Sequence, residues 1–202
     1  MIWYSALILA VGAERIAELV LSTRHARWSF ARGGREYGKG HFGPMVLLHI
    51  GLLAGCLAEG WIARPPFIPW LGWPMFALVV LAMSLRWWCI AVLGRQWNTR
   101  VIVVPGMSAV RRGPYRVLHH PNYVAVVVEG FALPLVHTAW ITALAFTVLN
   151  AVLLAAFRIP TENGALTDLA GGAGAVSIDS AEGDAQGAVT EPVAGRAEDH
   201  AG

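Results

Sequence analysis

Long apolar runs dominate the chain, and polar residues collect between them. Residues 2–22, 43–63 and 67–93 are each mainly apolar. Each supplies the roughly 20 residues that a helix needs to cross a bilayer. The first run holds Glu14, Arg15 and Glu18 toward its inner end. The third holds Arg86, with Pro69 and Pro74 near its start. From Asn122 to Phe157 the chain is apolar for 36 residues, and Glu129 is the only charge. That is too long for one span and slightly short for two. Pro134 and the stretch Val136-His137-Thr138 mark a tight turn inside it. The pattern predicts a helical hairpin over 122–136 and 139–157. The expected fold is all-α, a polytopic membrane protein with about five transmembrane helices, the last two forming a C-terminal hairpin.

Composition agrees. Apolar residues make up 56% of the chain and charged residues 14%, against about 25% charged in soluble domains. This excludes an ordinary water-soluble globular domain. The net charge of +2 conceals an asymmetry, because residues 1–166 carry +8 and residues 167–202 carry −6. The expected organisation is a membrane-embedded domain over 1–166 and a disordered Gly/Ala/acidic tail over 167–202. Gly171-Gly172-Ala173-Gly174 follows no strand and opens no helix, so it is not a dinucleotide loop. Cys56 and Cys89 sit in apolar runs and read as small buried hydrophobes. The first run lacks a basic leader and is interrupted by charges, which argues against a cleaved signal peptide.

The basic residues give an orientation. Arg24, Arg27, Arg32, Arg35 and Lys39 lie between the first two runs, and Arg95, Arg100, Arg111, Arg112 and Arg116 follow the third. The intervening loop holds only Arg64, and the hairpin turn holds neither Arg nor Lys. Positive-inside placement puts the N-terminus outside and both basic loops and the C-terminus in the cytoplasm, in the inner membrane. No nucleic-acid motif is present. The basic loops read as orientation signals and lipid-headgroup contacts.

Ionisable residues inside spans are costly and call for a reason. Arg86 reads either as a cation snorkelling to the interface or as a site for an anionic group beside a lipid-accessible cavity. Glu129 is expected to pair with an arginine or to face other helices. Arg15 and Glu18, at i and i+3, are expected to pair with each other. The richest stretch is Gly113-Pro114-Tyr115-Arg116-Val117-Leu118-His119-His120-Pro121-Asn122-Tyr123. Pro121 suits a first helical turn, whose free N–H groups favour an anion. An aromatic belt explains Tyr115 and Tyr123 but not the paired histidines. The last run ends in Arg158-Ile159, with Glu162 beyond it. A hairpin returns its ends to one place, so His120 and Glu162, 42 residues apart, are expected to share a pocket.

Gly113-Pro114-Tyr115-Arg116, then His120-Pro121-Asn122-Tyr123, an apolar hairpin, and Arg158-Ile159 with Glu162 and Leu166 resemble the isoprenylcysteine carboxyl methyltransferases. The run from Leu85-Arg86 through Gly94 to Trp97-Asn98 also fits that family. The N-terminal half is similar to a bacterial branch in Arg15-Ile16-Ala17-Glu18-Leu19, Ser22, Arg24, Trp28, Gly33-Gly34-Arg35-Glu36-Tyr37-Gly38, His41, Met45-Val46 and His49. Members of that branch accompany type III polyketide synthases and are associated with O-methylation of alkylpyrones or alkylresorcinols. The chain has His119-His120-Pro121 where the family usually has Arg-His-Pro. It has Glu162-Asn163 where the family usually has two acids.

The resemblance implies a membrane O-methyltransferase that uses S-adenosylmethionine. His120, Pro121, Tyr123, Arg158 and Glu162 would line the cofactor pocket, and Arg86 would face the reacting end of a lipophilic or prenylated acceptor taken from the bilayer. Methyl transfer is an in-line displacement, so alignment and water exclusion matter most. A carboxylate acceptor needs orientation and no base. For a phenol or enol, Arg86 would stabilise the anion and His119 or His120 would act as base. No metal is expected. His41, His49, His119, His120 and His137 are too few and wrongly spaced for a di-iron His-box enzyme. A small transporter or channel would be expected to show repeated halves, and none appear. A non-catalytic membrane protein leaves the His-Pro-x-Tyr and Arg-Ile-x-x-Glu arrangement unexplained.

Overall fold

A computed structural model describes residues 1–164 except Lys39, His41, Ser108, Ala109, His119, Glu162 and Asn163, and for Arg158 the backbone alone. The tail expected at 167–202 lies outside the described residues. Five helices carry the structure: α1 (Ile2–Phe30), α2 (Phe42–Ile62), α3 (Pro69–Leu93), α4 (Pro121–Leu135) and α5 (Trp140–Leu153). Proline opens α3 and α4, where its missing N–H is no loss. The hairpin expected from the sequence is α4 and α5, joined by a short turn in which Thr138 takes a positive φ of 60°.

Phe42–Ile62, Pro69–Gln96 and Trp140–Thr161 are long and apolar enough to cross a membrane. Of the other two helices, α1 departs from the expected span, while α4 matches the expected 122–136 to within one residue at each end. At 29 residues, α1 is about 43 Å long. It runs well past residue 22 and takes Arg24 and Arg27 into its last turns rather than into a loop. At 15 residues, α4 is about 22 Å long, short of a roughly 30 Å hydrocarbon core. It is buried in protein along about half of its residues, with Val124, Val127 and Phe131 on its outer face.

The burial pattern separates core from lipid face. Tyr4, Ile8, Val11, Glu18, Ser22, Ala26 and Ser29 form one buried stripe on α1, at the three-, four- and seven-residue intervals of a helical face. Tyr4, Ile8 and Val11 pack with Leu52, Val79, Leu133 and Phe146 of the other four helices. Leu9, Leu47, Leu81 and Leu144 point outward and are 64–69% exposed, which suits a bilayer and not water.

The two ends of the bundle differ. At one end Trp3, Tyr4 and Phe67 surround His137 in the α4–α5 turn, and the Thr138 hydroxyl donates to the Pro66 carbonyl at 2.6 Å. The other end holds the polar loops. There β1 (Arg35–Tyr37) pairs antiparallel with β2 (Val101–Val103), Glu36 opposite Ile102. Gly33, at φ 75°, reverses the chain between α1 and β1, a conformation that costs glycine least. The strand pairing fixes both basic segments to one end of the bundle, as the charge pattern requires. Arg32 lies over the Trp28 ring at 4.1 Å and Arg95 over the same ring at 5.8 Å.

Two contacts between helices set the hairpin. Glu59 of α2 accepts from the backbone N–H groups of Ile141 and Thr142 at 3.1 and 2.8 Å and from the Thr142 hydroxyl at 2.8 Å. It therefore caps α5 from a different helix. Gly130 of α4 lies against Phe146 of α5 so closely that an added Cβ would overlap the ring. Glu59→Ala is expected to lower stability by about 1–2 kcal/mol through loss of the cap. Gly130→Ala is expected to cost about 1–3 kcal/mol through overpacking. Thermal unfolding in detergent, compared with Val80→Ala on the outer face, checks both.

Candidate functional site

The apolar bundle encloses an ionic cluster built by three helices. Glu14, Arg15 and Glu18 fall on one face of α1, Arg86 comes from α3 and Glu129 from α4. The Arg86 Nη2 donates to Glu129 Oε2 at 2.8 Å, and its Nε lies 3.4 Å from Glu18 Oε1. Arg15 reaches Glu18 at 2.9 Å, Glu14 at 3.0 Å and Glu129 at 3.5 Å. Glu129 Oε2 thus bridges both guanidiniums. Glu14 is tied further by the Trp87 indole N–H at 2.6 Å. Arg86 and Glu129 are 4% and 2% exposed, which rules out snorkelling for Arg86. Three carboxylates meet two guanidiniums, a formal excess of one negative charge when all are ionised. Several polar atoms in the cluster, Arg15 Nε, Arg86 Nε and Glu18 Oε1 among them, make no hydrogen bond.

The Arg15–Glu18 pair expected from the i, i+3 spacing is present, but it is one edge of this larger cluster. The link between Glu129 and two arginines was not resolvable from spacing, because 43 residues separate Arg86 from Glu129.

A cavity of about 700 Å³ runs beside the cluster, within the range of ligand pockets. Ile8, Leu53 and Val126 give it an apolar wall, while Arg15, Glu18 and Arg86 give it a charged one. Trp97 and Thr99, from the segment after α3, also line it. That segment is held on α1. Ser22 Oγ donates to Asn98 Oδ1 at 2.7 Å, Thr99 N–H donates to Ser22 Oγ at 3.1 Å, and His25 Nδ1 donates to the Trp97 carbonyl at 2.8 Å. Of the residues named from the sequence, Trp97 lines the cavity, and Ser22 and Asn98 hold its segment against α1.

The start of α4 closes the same space. Asn122 and Tyr123 line the cavity, and Asn122 Oδ1 is buried without a hydrogen bond. His120 occupies the position before the helix and stacks on Tyr123, with centroids 5.1 Å apart and planes at 19°. Pro121 is fully buried. The structure brings Arg86 and Tyr123 to one cavity, with His120 and Pro121 at its edge. His119 and Glu162 lie outside the described residues. Arg158 is described by backbone only, at the end of a π-helical turn over Leu154–Arg158. Such turns break the helical register and are frequent at functional sites. Leu154, its first residue, lines the cavity.

One lining residue was left outside the expected site. His49 of α2 was noted only within the N-terminal resemblance and among the histidines too few for a His-box. Its ring hydrogen-bonds the Met45 carbonyl at 2.8 Å and meets Phe146 edge-on at 5.6 Å. An imidazole in an otherwise apolar span was the available signal. Among the described residues no group of His, Cys, Asp and Glu is arranged to hold a metal.

Comparison with known proteins gives the chain a family. The sequence profile of the isoprenylcysteine carboxyl methyltransferase family matches residues 75–168, the part that holds Arg86, Glu129 and the start of α4. The uncharacterized protein YpbQ of Bacillus subtilis is 35% identical over 170 residues, 83% of this chain and 98% of its own length. An uncharacterized protein of Haemophilus influenzae is 26% identical over 167 residues, 81% of this chain and 93% of its own. No solved structure matches significantly. A buried ionic site in an apolar bundle, a matched segment that carries it and a full-length relative together lead to one conclusion: the chain belongs to the isoprenylcysteine carboxyl methyltransferase family and is an integral membrane methyltransferase of that type.

Proposed function

We propose that the protein is an S-adenosylmethionine-dependent O-methyltransferase acting on a lipophilic acceptor drawn from the bilayer. The observation that carries this reading is the cavity itself. One space of about 700 Å³ joins an apolar wall, suited to an alkyl or prenyl chain, to a buried ionic cluster and to the start of α4. Both basic segments lie at that end of the bundle, which positive-inside placement assigns to the cytoplasm, where the cofactor is made.

The residues present fit a cofactor that carries an ammonium, hydroxyls and an aromatic base. Asn122 Oδ1 is a buried acceptor lacking a donor, and such atoms call for a partner. In the first turn of α4 the Tyr123 N–H bonds the His120 carbonyl at 3.1 Å and Pro121 has no N–H, so the Asn122 N–H is the donor that turn offers a carboxylate. His120, Pro121, Tyr123, Arg158 and Glu162 would hold the cofactor. Bound there, it would supply a methyl group on a positively charged sulfur. Arg86, fixed by Glu18 and Glu129, would orient the acceptor oxygen. The apolar walls exclude water from the reacting oxygen.

The acceptor head is an alkylpyrone or alkylresorcinol hydroxyl, or an isoprenylcysteine carboxylate. The formal negative excess of the cluster favours the hydroxyl, since a carboxylate would add a second uncompensated charge in a poorly solvated place. An alkylpyrone or alkylresorcinol acceptor would connect the protein to a polyketide synthase pathway.

The test supplies labelled S-adenosylmethionine and candidate lipids to membranes holding the protein. Label is expected in the lipid fraction as a methyl ether, and no labelled lipid from the intact protein overturns the reading. Glu162→Gln is expected to abolish cofactor binding. Arg86→Ala leaves Glu18 and Glu129 short of a counter-charge and is expected to cost about 3–5 kcal/mol of stability together with most of the transfer. Removal of residues 170–202 is expected to leave transfer unchanged.

A further inference from the structure

The cavity wall carries one imidazole that neither the ionic cluster nor the cofactor-side residues use. His49 lies in α2, upstream of the segment 75–168 that the family profile matches. Its Nδ1 is 2.8 Å from the Met45 carbonyl oxygen. A carbonyl only accepts, so Nδ1 carries the proton and Nε2 presents a lone pair. Phe146 packs edge-on at 83° and fixes the plane of the ring. Among the described residues His49 is the only histidine that lines the cavity, because His120 stands off its wall.

We propose that His49 takes the proton from the acceptor hydroxyl as the oxygen is methylated. This rests on the hydroxyl reading above. The acceptor O–H passes its proton to Nε2, and the oxygen forms its bond to the methyl carbon as the carbon–sulfur bond breaks, with that electron pair left on sulfur. The imidazolium then releases the proton to water. Charged and titratable groups surround the cavity. Arg15 and Glu18 face it from α1, Arg86 from α3, and Tyr123 from α4, with Glu129 behind Arg86. Both Glu18 oxygens already stand at ion-pair distance from an arginine. Among the described residues no such partner engages Nε2 of His49.

Two measurements test the assignment on the full chain in detergent. The first uses no methyl donor. A long-chain 4-alkyl-2-nitrophenol changes its absorbance on ionisation, and its titration is followed when bound. The intact protein is expected to lower the probe's ionisation midpoint by at least about one pH unit, a tenfold effect. His49→Gln keeps a donor for the Met45 carbonyl and is expected to abolish that lowering while retaining probe binding. The second measures transfer. His49→Gln is expected to lose roughly 100-fold in kcat on weakly acidic hydroxyls, with a deficit that shrinks as the acceptor becomes more acidic or the pH rises. Glu18→Gln is expected to show the same deficit on every acceptor. His49→Asn is read the same way where His49→Gln does not fold. An unchanged midpoint shift in the variant, a deficit independent of acceptor acidity, or acidity dependence in Glu18→Gln instead would overturn the proposal and leave the methyltransferase reading intact. Methyl esters as the product would overturn it as well. An intact protein that transfers no label defeats the underlying reading rather than the choice of His49.

Discussion

Burial of Arg86 in an apolar bundle costs several kcal/mol unless carboxylates meet it, and this cost organises the molecule. The carboxylates come from α1 and α4, helices on either side of α3 in sequence. Glu129 Oε2 lies 2.8 Å from Arg86 and 3.5 Å from Arg15. Separation of any of the three helices would strand a charge in hydrocarbon. The cluster therefore fixes the register of α1 against α3 and α4 in a membrane, where apolar packing alone discriminates weakly between registers. It also makes the neighbouring cavity polar at one end and apolar along its length.

The rest of the site depends on that frame. With α1 fixed by Glu18, its Ser22 and His25 receive the Trp97–Thr99 segment, which becomes a wall of the cavity. With α4 fixed by Glu129, its first turn brings Asn122 and Tyr123 to the same space. The short length of α4 follows too. A helix largely buried in protein need not match the bilayer, whereas α2, α3 and the helix that continues α5 through its π-helical turn to Thr161 are long enough to cross. The family profile covers residues 75–168, yet α1 completes the cluster and α1 and α2 complete the cavity, so the domain works as one unit.

Much of this was readable along the chain. Apolar runs gave the helices to within a few residues, because a bilayer imposes length and composition on any span. Pro121 and the Val136-His137-Thr138 turn bounded the hairpin for local backbone reasons. The charge pattern placed the two basic segments together, and β1–β2 pairing does the same by hydrogen bonds. The end of α1 was misjudged because a helix can continue beyond its apolar stretch when its polar residues reach water. The Arg15–Glu18 pair was visible as a local spacing, but the reach of Arg15 to Glu129 was not.

By itself the sequence determined which segments cross the membrane, which charges sit inside it and which motif marks the methyltransferase family. These follow from local properties, namely hydropathy, helix-start chemistry and residue spacing. Only the tertiary structure decided how those charges are partnered. Arg86 read either as a cation snorkelling to the interface or as a site for an anionic group, and it is held by Glu18 and Glu129 in a cluster with one carboxylate in excess. His49 looked like one more residue in an apolar run, and it instead stands on the cavity wall with its tautomer set by Met45. Pairing and cavity walls depend on distances between helices far apart in the chain, and no local pattern encodes those distances.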